Sequence, residues 1–224
     1  MSGEVIESPT QLRMLAADGE LAGKTLRGPW AAQGVSLENA DLDSVTIERV
    51  GLADANLAGV RLEHATLKSV DLTGANLTGA LLHRLRAFDN TRFTRADLTG
   101  VELRRCDLGP QLWMEGANFT SAKIQGTTFR AVELARATFK NAVLLRSHFF
   151  DYANAVGSLV RVSFVEAVLI EVDLHEVNLY GADLSRALLV RCDLRGATLS
   201  GASMVGARLI DCRTDGADLS DTTV

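Results

Sequence analysis

The chain has 224 residues, of which 47% are hydrophobic and 23% charged, and its formal net charge is −5. That is enough for one continuous core, and no apolar run approaches the ~20 residues of a membrane-spanning helix. Three cysteines without paired short spacing argue against a disulfide framework or a zinc site, and suit reduced thiols.

The N-terminus has neither the basic start nor the apolar stretch of a signal peptide, so a cytoplasmic protein is expected, with export by a signal-less secretion system left open. Ser8-Pro9-Thr10-Gln11 sets a capping residue, a proline at the first helical position and a glutamine three residues on, and Asp18-Gly19 supplies a stop. A short helix over 9–17, within a lead-in of residues 1–20, should cap the unpaired end of the repeat unit behind it. A single unit spans 21–224, its first coil starting near Leu21 with Pro29 and Trp30 at a distorted corner.

From there one pattern recurs. Ala40-Asp41-Leu42, Ala55-Asn56-Leu57, Ala75-Asn76-Leu77, Ala96-Asp97-Leu98 and Ala182-Asp183-Leu184 each place a small residue, a polar residue and then a large apolar centre. Centres fall every five residues from Leu37 to Leu82, from Phe88 to Trp113 and from Phe119 to Leu219. The two steps of six, Leu82 to Phe88 and Trp113 to Phe119, should be bulges. Phe150 to Gly157 keeps the register but carries the wrong core residues, so a loop or kinked side is expected there. A period of five fits neither a helix nor a two-faced strand. It fits a chain that turns a corner every five residues and points two of each five inward, four sides making a coil of 20. About nine coils, stacked at the ~4.8 Å spacing of a β-sheet, share one core.

Over about residues 35–221 the motif resembles the pentapeptide-repeat family, whose signature is A(D/N)LXX. The resemblance implies an all-β solenoid, the right-handed quadrilateral parallel β-helix, here with its N-terminal capping helix. It implies no single activity.

No catalytic, cofactor-binding or metal-binding residues are expected, and the chain is read as a non-enzyme. Cys106, Cys192 and Cys212 occupy the small inward position and read as core. His64, His83, His148 and His175 fall on outward positions, no two on one face of adjacent coils. The aspartates before the centres should bond local backbone.

Two surface features stand out. Arg84, Arg86, Arg92, Arg95, Arg104 and Arg105 cluster around the first slip and could meet an acidic partner. Just after the centre on one side of the late coils stand Phe150, Ile170, Val190 and Ile210. Val168 and Leu188 precede the centres on that side, and the neighbouring side adds Leu145, Val165 and Val205. Large aliphatics stacked on outward positions predict an interface, with a protein partner or in a homodimer.

The leading expectation is a protein–protein interaction scaffold. The resemblance also offers a DNA-mimicking inhibitor or protector of a type II topoisomerase such as gyrase, and a secretion-linked adaptor or effector. The mimic is disfavoured because no helix signal follows Leu219 and because charge runs −5, +5, −5 over residues 1–83, 84–161 and 162–224. An acidic chain without interleaved aromatics argues against direct nucleic-acid binding.

Overall fold

The computed structural model describes residues 4–150 and 159–224. They form a right-handed, four-sided parallel β-helix of about 10 turns with one short helix. Side one carries an eight-stranded sheet, side two a three-stranded sheet, side three a series of isolated bridges, and side four a seven-stranded sheet.

The repeat explains each side locally. The small residue and the centre point inward: Ala75 and Leu77, and Ala182 and Leu184, are buried. The Asp or Asn between them cannot enter a dry core, and it turns back on its own backbone. Asp71 Oδ1 accepts from the Thr73 amide at 3.0 Å, Asn76 Oδ1 from Thr78 at 3.0 Å and Asp183 Oδ1 from Ser185 at 2.9 Å. These Asx turns start the corners that follow an Asp or Asn. Backbone bonds to the next coil, such as Leu57 N to Asn76 O at 2.7 Å, close the ladder.

The core is a stack of like residues. Phe119, Phe139 and Phe164 stack on side three with ring centroids 4.6 and 5.0 Å apart, and Phe129 stacks on Phe149 at 4.5 Å. These distances match the rise between coils, so identical side chains repeat their packing from rung to rung.

Both slips fall one pentad away from their expected places. Ala87, not Phe88, is the buried centre; Leu85 is its small-position partner, and Phe88 lies half-buried beside Arg86, whose guanidinium is 5.5 Å from its ring centroid. The extra residue comes next, at Asp89–Asn90, two successive residues with φ of 52° and 63°. Likewise Leu112 and Met114 are buried, whereas Trp113 is 43% exposed. That slip lies before Met114, beside Gly109. Bulk alone misplaced these centres, because a chain with one extra residue has two candidate apolar neighbours and only the backbone pairing chooses.

The N-terminal end begins earlier than Leu21. Val5–Ile6 pairs in parallel with Thr25–Leu26, and Ile6 is fully buried. Helix α1 (Pro9–Asp18) is inserted in this first turn, capped by Ser8 and ended by Gly19 at φ 72°. Leu12 enters the core, with Leu15 and Ala16 packed against it. At Pro29 the side-one strand Thr25–Ala31 shifts register between Arg27 and Trp30.

The largest departure concerns one coil. Leu145 pairs with Ile170 and His148 with Asp173, 25 residues on, where neighbouring coils take 20 or 21. The additional pentad falls between Phe150 and Leu159. The loop or kink expected over 150–157, with Tyr152 and Asn154, lies outside the described residues apart from Phe150.

Candidate functional site

Side four is built from the strands Leu81–His83, Glu102–Arg104, Lys123–Gln125, Val143–Leu145, Val168–Ile170, Leu188–Val190 and Arg208–Ile210. In each triplet the middle residue takes the inward position, buried in the first six and 37% exposed at Leu209 in the last coil, and the flanking two face outward. Two outward columns therefore run along the rod: Leu81, Glu102, Lys123, Val143, Val168, Leu188, Arg208, and His83, Arg104, Gln125, Leu145, Ile170, Val190, Ile210. From Val143 onward the columns turn aliphatic over three complete rungs and half of a fourth. Side three, by contrast, shows outward Asn, Asp, Ser and Thr at matching positions, from Ser36 and Asn56 to Asp183 and Ser203.

This register corrects the stripe read from the sequence. The 25-residue coil moves Phe150 to side one, where it pairs with Arg130, and brings Leu145 into the Ile170 column in its place. Val165 and Val205 sit on side three with Ser185 between them, as the bonds Asn141 N to Val165 O, Glu166 N to Ser185 O and Arg186 N to Val205 O record. Val168, Ile170, Leu188, Val190 and Ile210 remain together. Val143, which spacing arithmetic missed, joins them; its signal was the column Val143, Val168, Leu188, visible once the 25-residue step is known.

The face is only partly wet. Ile210 is 38% and Val143 37% exposed, while Leu145, Val168, Ile170, Leu188 and Val190 are half-buried, each shielded by its neighbours one rung away. Covering the face therefore gains roughly 1 kcal/mol per side chain, less than the ~1.5–3 kcal/mol of a fully exposed aliphatic. Ion pairs frame it on both edges. At one corner Glu171 binds Arg146 at 2.7 Å and Arg191 at 2.6 Å; at the other Glu166 binds Arg186 at 2.6 Å. The hydrogen bonds from Arg146, then Arg191, hold the Glu171 carboxyl below the usual range. An apolar centre with a charged rim is the anatomy of a protein interface.

The arginines divide. Arg84, Arg104 and Arg105 converge with His83 and Gln125 on an open notch on side four. Arg86 faces outward on side one, Arg92 lies on side two and Arg95 follows it at the next corner, so the six form no single patch. A corner turns the outward direction from one side to the next, which sequence proximity hides.

The remaining candidates resolve as structure. Cys106 and Cys192 are buried, and burial pushes both thiols up to about 11; Cys212 is half-buried in the last coil. His64 and His83 lie nearer than expected: the His64 amide bonds the His83 carbonyl on the next coil at 2.8 Å. Asp43, Glu63 and His64 bring one ligand atom each within 4.8 Å of one another. Arg84 stands 3.3 Å from His64 Nε2, however, and His83 Nδ1 3.4 Å from Glu63, so the trio is part of a ladder of polar contacts between coils. No histidine bonds a serine or cysteine side chain among the described residues. A concavity lies between α1 and the first coils; its charged residues, Arg13, Asp18, Glu38 and Asp41, come with no histidine or cysteine.

Comparison with known proteins gives one family. The model described as pentapeptide repeats matches in 8 copies, over residues 48–84, 87–109, 114–149, 157–186, 178–213 and 187–223. No curated protein matches by sequence. Among solved structures, HetL, a pentapeptide repeat protein involved in heterocyst differentiation regulation from the cyanobacterium Nostoc sp. strain PCC 7120, superposes with a TM-score of 0.67 at 22% identity, covering 97% of this chain and 94% of its own. QnrB1, a plasmid-mediated fluoroquinolone resistance protein, gives a TM-score of 0.41 at 16% identity, covering 93% of this chain and 83% of its own. At such identities the likeness to HetL concerns the fold.

Proposed function

Because the chain belongs to the pentapeptide-repeat family, we propose that it works without catalysis, as a rigid rod that binds another protein through the late coils of side four. One observation carries this reading: Val143, Leu145, Val168, Ile170, Leu188, Val190 and Ile210 form a contiguous outward aliphatic face rimmed by ion pairs. Rigidity suits the role, since a flat sheet loses little entropy on binding. A duplex-mimicking role on a topoisomerase has less support, because side four carries His83, Arg84, Arg104, Arg105 and Lys123 in mid-rod, where a DNA mimic needs acids.

The test compares the wild type with Ile170→Glu/Val190→Glu as bait in a lysate of the source cells. At least one protein held by the wild type should be lost by a variant whose melting temperature is unchanged. Identical captured sets would sink the proposal.

A further inference from the structure

Along side four the aliphatic zone abuts a basic one. His83, Arg84, Arg104, Arg105 and Gln125 line one notch, and Arg104, Lys123, Gln125, Val143 and Leu145 line the next, so the two zones share a wall. Glu102, which lies between them, is already taken by Lys123 and Arg104, each at 3.0 Å. Those contacts, the Lys123 hydrogen bond first, hold its carboxyl low. Arg84 has only a histidine nitrogen, at 3.3 Å, and Arg105 has no side-chain partner among the described residues. Arg84 and Arg105 stand beside Arg104 without a carboxylate of their own; such guanidinium groups repel one another, and a carboxylate from outside relieves this through charge-assisted hydrogen bonds.

A second copy of the chain suits the face poorly. Four rungs at ~4.8 Å and a flat side of three residues at ~3.3 Å give roughly 200 Å². Two such faces bury about 400 Å², well short of the ~1,000 Å² of a stable dimer. A narrow occupant that lies along the rod fits better. From Arg104 to Val190 is four rungs, roughly 19 Å, which an extended chain covers in about six residues.

Resting on the reading of side four as a docking surface, we infer that its occupant is an extended segment of another protein. Aliphatic side chains at one end of the segment lie over Leu145, Ile170 and Val190. Carboxylates about three to six residues away meet Arg84, Arg104 and Arg105.

Panning a phage-displayed library of random twelve-residue peptides on the immobilised full chain tests this. Three variants run beside the wild type: Arg84→Gln/Arg105→Gln, Arg84→Lys/Arg105→Lys and Ile170→Glu/Val190→Glu, each checked for an unchanged melting temperature. The wild type should enrich peptides in which an acidic pair stands about three to six residues from an aliphatic pair. The glutamine variant should lower their recovery about tenfold, the lysine variant should keep most of it, and the glutamate variant should abolish it. Aliphatic peptides without acidic excess, or acidic peptides indifferent to the glutamine variant, overturn the inference; if the glutamate variant still abolishes capture, the docking face stands. Capture indifferent to all three variants overturns both. A wild-type dimer in light scattering that Ile170→Glu/Val190→Glu dissolves overturns the inference in favour of a second copy.

Discussion

Leu145 and Ile170 lie directly opposite one another on adjacent side-four strands, although 25 residues separate them. That pairing decides which outward side chains share a face. With it, three complete rungs of paired aliphatics, Val143/Leu145, Val168/Ile170 and Leu188/Val190, stack without interruption. The extra pentad leaves the core continuous, because Leu144 and Leu169 still meet as buried centres.

Adjacent residues of one strand should respond oppositely to charge. Leu169 is fully buried and Ile170 faces outward. Leu169→Lys places an unpaired ammonium in a dry ladder and should cost more than about 4 kcal/mol, seen as loss of soluble protein. Ile170→Lys should leave the melting temperature within a few degrees of wild type. Similar outcomes at both positions would mean the register is wrong.

Glycines at the corners should rank by the space behind them. Gly109 has φ +110° and a Cβ there would stand 1.9 Å from the Arg130 carbonyl oxygen, whereas Gly79 at φ +67° faces open space. Gly109→Ala should lower the melting temperature by at least twice as much as Gly79→Ala, whose cost is only the ~1 kcal/mol of a left-handed alanine.

Most of the fold was legible in the sequence because the period of five is written in the core residues themselves. What was not legible turns on single insertions. Phe88 and Trp113 have the bulk of centres, yet backbone pairing selects Ala87 and Met114. In the late coils, arithmetic in steps of 20 joined Phe150 to Ile170, although the polar Asn154 at an expected centre already broke the sequence pattern. The arginines failed for a geometric reason: neighbours in sequence point to different sides across each corner, so Arg84 meets Arg104 and Arg105 rather than Arg86.

Thiol reactivity should follow burial. Cys106 and Cys192 are buried, with thiols raised to about 11 by desolvation, and Cys212 is half-buried. At pH 8 a thiol reagent should modify at most one cysteine per native chain, identified as Cys212 by peptide mapping, and all three in denaturant. Rapid native labelling of Cys106 would contradict the inward assignment.

Acid should weaken the rod partly through Asp193. Hydrogen bonds from Arg195 hold its carboxyl at about 2, below the ordinary 3.8. A depressed folded value stabilises above the unfolded value and loses that contribution as pH falls, here between about pH 4 and 2. Asp193→Asn should therefore lower the melting temperature at pH 6 and converge on wild type near pH 2; an equal gap at both pH values would refute the assignment.

Docking on side four is tested most directly by a photo-crosslinker carried in turn at Ser185, Val190, Arg195 and Ser200 in the source cells. These four positions are five residues apart, each just after a centre, and sample sides three, four, one and two of the same coil. A discrete crosslinked partner from position 190 alone is the expected result. Equal adducts from all four sides, or adducts from any side but the fourth, would contradict it.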